Sequence, residues 1–570
     1  MSGMSFEDAV AHLLANEPAF ATSTADIRGT SYRVFANAPR TLRELLQSAR
    51  SRHDDGRADF IVYGSERWSF DAYCADVCAV AESLRARGIK RGDRVAIAMR
   101  NYPELLILFL AIVSVGGVVV FLNAWWTEPE LEYALSDSQP KLICADGPRM
   151  TCMLPLKDRL GLNLVGVRDG EALGPEAFSK LKSDGYGASW PDVEIDADDD
   201  FGIMYSSGTT GHPKGVVLTH RGAVNAVHSF MMSGVINRLR SGADAASKRI
   251  VLVVTPLFHV TATHPVFLTG MAAGDRLVLM HKWDTDEALE LIKTEGVTAL
   301  IGVPTQSADL MEAAKSKGEP LETLSFIVAG GAKRPAAQVG QLAQVFPKAA
   351  VATGWGMTET NAIGITMSGA EYLSRPDACG RLAPPVQDLR FLDPGGQDVP
   401  PGTLGELTVK SPCNMRCYIN KPEATAEVLE DGWLRTGDLG YIDGEGFVTI
   451  VDRAKNIIIR GGENIACLDV ESALHQHGDV LEACAFPLPH ARLGEMVGAL
   501  VQLRPGSEIT TDMLQAFLGD HIARFKIPER IWLQADPLPR GATDKLDRRG
   551  IRALCTDRLT REGAENAAHV

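Results

Sequence analysis

The feature that most constrains the fold is an alternation of short apolar runs with segments of helical periodicity. Short apolar runs are typical of strands buried on both faces, whereas apolar residues three or four apart indicate one face of a helix. The predicted strands are Val95–Met99, Leu142–Cys144, Val251–Val254, Leu277–Met280, Ala299–Val303 and Phe326–Ala329. The predicted helices are Ser69–Arg87, Thr285–Glu295, Gln306–Lys315 and Ala336–Phe346. This alternation predicts α/β layers built on parallel sheets.

The chain has 570 residues, which is too long for one compact core. After about residue 380, prolines and glycines separate short strands such as Leu404–Lys410, which predicts a β-rich subdomain over about 380–452. A smaller α+β unit follows, with strands Ile457–Ile459 and Val497–Leu503 and a helix around Asp512–Ala523. The predicted fold class is therefore α/β, with a large N-terminal domain of layered subdomains and a small C-terminal domain.

The run from Leu105 to Leu122 is almost wholly apolar and long enough to resemble a membrane span. Ser114 and Gly116-Gly117 interrupt it, so it divides into a buried helix that begins at Pro103 and a buried strand, Val118 to Leu122. We therefore expect no transmembrane segment.

The charge disfavours one class of function, and the cysteine content indicates the cellular compartment. The net charge of −15 disfavours a general nucleic-acid binder, because phosphate backbones require a basic surface. Ten cysteines in a chain without a signal-peptide pattern at Met1 fit free thiols in a reducing cytoplasm. Any anionic ligand must then meet a local cluster of cations.

A loop rich in glycine and hydroxyl side chains, Tyr205 to Gly215, lies between two apolar runs. Glycines allow close approach of the backbone to a ligand, while hydroxyls, N–H groups and Lys214 suit phosphate oxygens. The spacing is not that of a Walker A loop, because Gly215 follows Lys214 where a serine or threonine is required. Alone, such a loop is as readily an ordinary surface turn.

Four further clusters follow the loop in a fixed order, and two of them suit parts of a nucleotide. They are Pro256–His259, Gly354–Thr360, Thr436–Tyr441 with Asp452-Arg453 after it, and Pro539–Asp547. The second offers an aromatic ring for a base and a carboxylate for Mg²⁺, and the third offers a carboxylate acceptor for a ribose diol.

This ordered set resembles the adenylate-forming superfamily of acyl-CoA synthetases, firefly-type luciferases and peptide-synthetase adenylation domains, from about residue 40 to residue 555. The resemblance implies an N-terminal adenylation domain, 1–454, joined at a hinge, Lys455, to a mobile lid domain, 455–570. It also implies an AMP-forming acid–thiol ligase that uses ATP, Mg²⁺ and coenzyme A.

The resemblance also implies roles for individual residues. In the ATP site, the residues around the phosphates would be Ser206, Ser207, Gly208, Thr209, Thr210, Gly211, Lys214 and Thr358. Those around adenine would be Gly330, Gly331, Ala332 and Trp355, with Gly356 and Met357 beside them. Asp438 and Arg453 would contact the ribose. Glu359 would hold Mg²⁺, and Lys545 would bridge the acid and the α-phosphate. Asp544 before that lysine departs from the glycine that relatives usually have.

Two more sites are expected from the same resemblance. The proposed CoA contacts are Arg460, Gly461, Gly462 and Glu463. The proposed acyl pocket comprises His259, as an aromatic gate, with Val260, Val266, Ala329, Gly330, Gly356, Ala362 and Ile363. Acetate-type relatives carry tryptophan where this chain has Gly356, so the floor of the pocket is expected to be open.

Several functions stay open at this point. The small or apolar lining favours a medium- or long-chain fatty acid, and an aryl, cinnamate-like or alicyclic acid is the alternative. CoA is favoured as acceptor over a carrier protein. A catalytically silent nucleotide-binding regulator is the alternative from another class, and a homodimer is left open.

Overall fold

Four sheets and one hairpin organise the part of the chain that this computed structural model describes, namely residues 4–206, 213–242, 248–460, 463–490, 492–541 and 545–568. The helices are α1 (Phe6–Asn16), α2 (Leu42–Ser48), α3 (Phe70–Ala86), α4 (Pro103–Ser114), α5 (Glu128–Ser138), α6 (Gly147–Met153), α7 (Lys157–Leu160), α8 (Phe178–Asp184), α9 (His220–Ser241), α10 (Val260–Ala262), α11 (Thr269–Ala273), α12 (Thr285–Glu295), α13 (Pro304–Lys317), α14 (Ala336–Val345), α15 (Ala370–Ser374), α16 (Pro422–Ala426), α17 (Cys467–Leu474), α18 (Thr511–Gly519) and α19 (Arg548–Ala568).

The strands are β1 (Thr22–Ile27), β2 (Thr30–Phe35), β3 (Asp59–Tyr63), β4 (Glu66–Ser69), β5 (Arg94–Ala98), β6 (Val118–Phe121), β7 (Leu142–Ala145), β8 (Leu164–Gly166), β9 (Asp200–Ser206), β10 (Lys214–Thr219), β11 (Ile250–Val253), β12 (Arg276–Leu279), β13 (Ala299–Gly302), β14 (Phe326–Gly330), β15 (Ala350–Trp355), β16 (Ile365–Ser368), β17 (Arg381–Leu382), β18 (Asp388–Leu392), β19 (Gly405–Lys410), β20 (Cys417–Tyr418), β21 (Leu429–Glu430), β22 (Trp433–Ile442), β23 (Val448–Arg453), β24 (Ile457–Arg460), β25 (Glu463–Ala466), β26 (Val480–His490), β27 (Gly494–Leu503) and β28 (Arg530–Gln534).

Two large sheets form the N-terminal part. One has the strand order β20-β10-β9-β6-β5-β7-β8, and the other β17-β16-β15-β14-β13-β11-β12-β3-β4. Both are parallel in the middle, which confirms the predicted α/β layers, and each of the six predicted strands lies within one residue of an observed strand. Antiparallel strands at the edges correct the expectation of parallel sheets alone. Short connections between β3 and β4, β9 and β10, and β15 and β16 allow the chain to reverse there without a crossover helix.

Helix α4 lies between the two large sheets and explains the long apolar run of the sequence. All but one of its twelve residues are buried, within a core that includes Val95 and Phe121 of one sheet and Phe60 and Val253 of the other. The run then continues into β6, as predicted, through a turn at Gly116, where φ is +73°. No helix in the described ranges has the length and apolar character that crossing a bilayer requires.

Two smaller sheets follow in the chain. The turn-rich region forms the sheet β18-β19-β22-β21 with β23 on β22, and the C-terminal region forms β25-β24-β27-β26 with β28 on β27. The large N-terminal and small C-terminal domains are thus confirmed, while the boundary at residue 454 stays a prediction. The helix predicted over Asp512–Ala523 ends at Gly519 instead, because the chain turns there and packs Ile522 back on the C-terminal core.

Phe109 of α4 provides a test of this central packing. Its ring lies 5.1 Å from that of Phe121 and 5.9 Å from those of Phe201 and Phe267, centroid to centroid. We expect Phe109→Ala to lower the free energy of unfolding of the N-terminal domain by about 3–5 kcal/mol, because the substitution leaves a cavity that rigid sheets cannot fill. Urea unfolding of the N-terminal domain measures this loss. The variant Leu154→Ala, at a partly exposed position, is the control. A loss below about 1 kcal/mol would contradict the packing.

Candidate active site

The candidate site lies at one edge of the nine-stranded sheet, where several parallel strands end. Strands β14 and β15 pair in parallel with Gly330 opposite Gly354, so the loops that follow them are neighbours. The loop after β11, which carries His259, leaves the same edge because β11, β13 and β14 are also parallel. Loops at the carboxyl ends of parallel strands are where α/β proteins place ligands. Two of the sequence clusters, those of His259 and Gly354, are brought together in this way with the segment of Gly330.

Asp438 is held by two donors at this edge. The Trp355 indole Nε1–H donates to Asp438 Oδ2 at 2.8 Å, and Arg453 Nε donates to Oδ1 at 3.1 Å. Asp438 and Arg453 face each other on the antiparallel strands β22 and β23. The carboxylate is only 4% exposed, and burial raises its pKa although Arg453 and Trp355 oppose the rise. A fixed acceptor beside an aromatic ring suits a nucleoside.

Glu359 connects the two large sheets. It lies in the 3₁₀ turn Thr358–Thr360 and is 5% exposed. Its Oε1 accepts hydrogen bonds from the Tyr418 hydroxyl at 2.9 Å and from Ser206 Oγ at 3.3 Å. Ser206 ends β9 and therefore brings the start of the glycine-rich loop to this carboxylate.

The rest of the phosphate-loop prediction is only partly visible. Lys214 begins β10, and its Nζ lies 4.7 Å from the centroid of the Tyr418 ring. The predicted contacts Ser207, Gly208, Thr209, Thr210 and Gly211 lie outside the described residues. Sequence reasoning missed Tyr418, because a single tyrosine in a two-residue edge strand shows no motif or periodicity.

Lys545 of the C-terminal domain reaches this site. A β-carbon added to Gly331, where φ is +76°, would lie 2.7 Å from both Cε and Nζ of Lys545. The positive φ favours glycine here, and a side chain at this position would displace the end of the lysine. Burial, and then the charge of Arg453, lower the pKa of Lys545 to about 8. The lysine is a cation at neutral pH but loses its proton more easily than an exposed lysine.

His259 lies near the same lysine and stays neutral. Its Nδ1 accepts a hydrogen bond from the Thr261 N–H at 3.3 Å. Burial, and then the charge of Lys545, lower the pKa of His259 to about 3. An imidazole with so low a pKa is a weak proton acceptor at neutral pH. The geometry is compatible with the predicted gate and gives no support to general-base catalysis.

The predicted acyl-pocket residues Val260 and Val266 are buried in the central apolar core, whereas Ile363 packs in a separate core with Ala9 and Leu13. Ala329 is also fully buried. Gly356 has a different reason for being glycine than the open floor predicted from the sequence. A β-carbon there would lie 2.1 Å from the carbonyl oxygen of Ala362, so the close approach of two backbone segments already excludes a side chain.

Asn361, which the sequence did not indicate, and Ala362, a predicted acyl-pocket residue, fix this close approach. Asn361 and Ala362 both have positive φ, at 52° and 64°. The Asn361 side chain donates to the carbonyl of Cys413 at 2.7 Å, and its Oδ1 lies 2.8 Å from His264 Nε2. His264 belongs to a π-helical turn, Thr263–Leu268, so these bonds hold the loop after Glu359 against the acyl pocket. Single polar residues of this kind carry no pattern in the sequence.

The predicted CoA and hinge residues are less constrained. Arg460 donates to Glu529 within the C-terminal domain, at 2.9 and 2.7 Å, and Glu463 begins β25. Gly461 and Gly462 lie outside the described residues. Lys455 lies in an exposed 3₁₀ turn between β23 and β24. In the described ranges no three His, Cys, Asp or Glu side chains come close enough to ligate a metal together.

Comparison with protein families supports this arrangement. Residues 45–419 match the model of the AMP-binding enzyme family, and residues 469–545 match the model of the AMP-binding enzyme C-terminal domain. These two ranges contain four of the five sequence clusters, including the loop of Lys545. Asp438 and Arg453 lie between the two ranges.

Individual relatives agree with the family match. The chain is 33% identical to a feruloyl-CoA synthase from Amycolatopsis sp., over 86% of this chain and 94% of the relative. It is 31% identical to a long-chain-fatty-acid–CoA ligase from Bacillus subtilis, over 92% of this chain and 95% of the relative. The solved structure of ATP-bound MatB from Rhodopseudomonas palustris is similar with a TM-score of 0.78 and 28% identity, covering 91% of this chain and 99% of that one.

Proposed function

The chain belongs to the AMP-binding enzyme family as an AMP-forming acid–thiol ligase, and from that premise we propose that it joins an acid with an apolar tail to CoA in two steps. In the first step the acid and ATP give an acyl-adenylate and pyrophosphate. In the second step the thiol of CoA displaces AMP and gives the thioester.

One observation carries this proposal: Lys545 reaches across from the C-terminal domain to Gly331, beside the site that Trp355, Asp438 and Arg453 build. The carboxylate and the α-phosphate are both anions, so a cation between them lowers the energy of their approach. A preoriented charge of this kind typically contributes about 3–4 kcal/mol to the transition state. The slot at Gly331 fits that role.

In the first step, a carboxylate oxygen attacks the α-phosphorus, and the bond from that phosphorus to the bridging oxygen of pyrophosphate breaks. Asp438 and Arg453 would hold the ribose, Trp355 and Gly330–Ala332 would hold adenine, and Thr358, Ser206 and Lys214 would contact phosphates. Several of these side chains are fixed by burial or by hydrogen bonds to other protein groups, which limits the reorganisation that binding requires.

Glu359 fits the Mg²⁺ site that the ATP chemistry implies. Mg²⁺ is usually held by one or two carboxylates together with phosphate oxygens and water, so a cluster of several acids is not needed. The Glu359 carboxylate accepts only from the hydroxyls of Tyr418 and Ser206 among the described residues, which leaves oxygen lone pairs for a cation. The bound ion would neutralise charge on the triphosphate.

In the second step, the CoA sulfur attacks the acyl carbon and the bond from that carbon to the AMP oxygen breaks. Lys545 has no anionic acid left to neutralise at this stage. We propose that rotation of the lid at Lys455 withdraws it, and that Arg460, Gly461, Gly462 and Glu463 then face the thiol beside the His259 gate. Keeping water from the mixed anhydride is the physical reason for a lid.

For the acid, we propose a medium- or long-chain fatty acid. The buried aliphatic side chains of Val260 and Val266, which follow the His259 gate, suit a hydrocarbon tail, at about 25 cal/mol per Å² of apolar surface removed from water. The similarity to a fatty-acid ligase over 92% of the chain agrees with this. An aryl or cinnamate-like acid is the second candidate, favoured by the 33% identity to a feruloyl-CoA synthase.

A panel of acids tests the function and the acid class together. We expect pyrophosphate release with fatty acids of 8 to about 18 carbons, and thioester only when CoA is added. A second set of reactions contains ferulate and benzoate derivatives and tests the aryl-acid alternative. In a third set, an acyl carrier protein replaces CoA. If no acid leads to pyrophosphate release, the proposal is wrong and a catalytically silent nucleotide-binding protein is favoured instead. Preference for cinnamates would overturn the fatty-acid assignment alone.

Lys545→Ala tests the division of labour between the steps. We expect adenylate formation to fall about 10²–10³-fold because the charge between the two anions is lost, while the affinity for ATP changes little. Pyrophosphate release and ATP binding measure the two effects separately. Lys526→Ala, which removes another lysine of the C-terminal domain, is the matched control and should leave the first step intact. Equal rates of pyrophosphate release in both variants would refute the assignment.

The pKa of Lys545 also predicts a pH profile. Because burial and Arg453 lower this pKa to about 8, kcat/KM of the first step, which reports the free enzyme, should fall as the pH rises above about 8. With an unperturbed lysine, kcat/KM of the first step would stay level up to about pH 10. Lys545→Arg, although slower, should show no such fall because its guanidinium stays charged. A wild-type break near pH 10 would contradict the lowered pKa.

A further inference from the structure

The loop that carries Lys545 is closed by its own backbone. Arg540 and Leu546 form an isolated antiparallel bridge, the Gly541 N–H donates to the carbonyl of Lys545 at 2.7 Å, and the Asp547 N–H donates to the carbonyl of Pro539 at 2.9 Å. Lys545 therefore lies at the end of a short hairpin. The direction of its side chain depends on how this hairpin is attached to the C-terminal domain.

Both ends of the hairpin are attached to the body of the C-terminal domain through arginines. At the first end, Arg540 Nη2 donates to both carboxylate oxygens of Glu482 in β26, each at 2.9 Å. At the second end, Arg548 donates to Glu471 through Nη1 at 2.5 Å and through Nη2 at 2.6 Å. In both attachments the carboxylate is largely buried, since the side chains of Glu482 and Glu471 are 12% and 8% exposed.

Glu471 connects three elements of the C-terminal domain. It belongs to α17, it accepts from Arg548 at the start of α19, and its Oε1 also accepts from the N–H of Ala485 in β26 at 2.8 Å. The Arg548 guanidinium also lies near the Ala485 carbonyl, at 3.5 Å. A planar guanidinium bound through two nitrogens fixes both the position and the rotation of the segment that carries it.

Stability alone is a weak reason for such a pair. A buried ion pair often contributes no more than well-packed apolar residues would, because both charges lose their hydration. What two parallel charge-assisted hydrogen bonds give is a defined geometry. Lys545 lies three residues before Arg548, so a change in how Arg548 is seated moves the lysine directly.

From this geometry we propose that Glu471 and Arg548 are positioning residues that seat Lys545 for the first step of the reaction and have no role in the second. The inference rests on the proposed function, in which Lys545 neutralises charge only while the acid approaches ATP. A displacement of a reacting group by about 1 Å can lower a rate on the order of 10²-fold. Loss of the pair should therefore separate the two half-reactions.

Three variants test the proposal: Glu471→Gln, Arg548→Lys and Arg548→Met. We expect the first step, read as pyrophosphate release at saturating ATP and acid, to fall about 10- to 100-fold, with Arg548→Lys between wild type and Arg548→Met. ATP affinity and the second step, measured from supplied acyl-adenylate and CoA, should stay within about threefold. Asp469→Asn, which removes the Lys526–Asp469 pair of the same domain, controls for the loss of an ion pair without contact to the hairpin.

The outcomes separate this inference from the proposed function. Wild-type protein that forms no adenylate would refute the function. Wild-type protein that performs both steps, with variants that lose both equally or lose neither, would refute the positioning role alone. If Arg548→Met does not fold, as judged by its thermal transition, Glu471→Gln decides between these outcomes, because its amide oxygen can still accept from Ala485.

Discussion

A buried carboxylate holds the parts of this site together. Glu359 follows β15 of one large sheet, yet its hydrogen bonds go to Ser206 at the end of β9 and Tyr418 in the edge strand β20 of the other. A carboxylate removed from water must be satisfied, and here hydroxyls rather than a lysine or arginine do so among the described residues. The two sheets are thereby fixed at the point where the phosphate loop begins. The negative charge of Glu359 also stays available for a cation that ATP brings.

Much of this fold could be predicted because its strands are buried on both faces. Strands such as Ala299–Gly302 are continuous apolar runs, and a helix such as α12 begins and ends where its periodicity does. The limits of prediction are equally physical. Tyr418 acts through a contact between distant segments, and Gly356 is required by a backbone carbonyl that the sequence cannot place. The motifs indicated candidate functional residues, whereas their hydrogen-bond partners required the structure.

Electrostatics explain why the chain can be acidic overall and still attract a triphosphate. The net charge of −15 is distributed over a large surface and is screened beyond about 10 Å at ordinary ionic strength. Near the site the relevant groups are Lys214, Arg453 and Lys545, which approach from the first large sheet, the β-rich region and the C-terminal domain. These three cations come from three separate segments, so the positive potential they create is complete only when the domains are together.

The environment of Lys545 gives a physical reason for the proposed movement of the lid. In the described part of the chain no carboxylate forms an ion pair with it, and burial lowers its pKa to about 8. A buried cation is stabilised when an anionic acid and a phosphate bind beside it. Once the acid has reacted and lost its charge, the buried cation is destabilised again. The lysine is therefore best carried by an element that can leave. Its hairpin is anchored through Arg540 and Arg548 to β26 and α17 of its own domain, so the proposed rotation of the lid would withdraw the lysine without breaking the bonds that orient it.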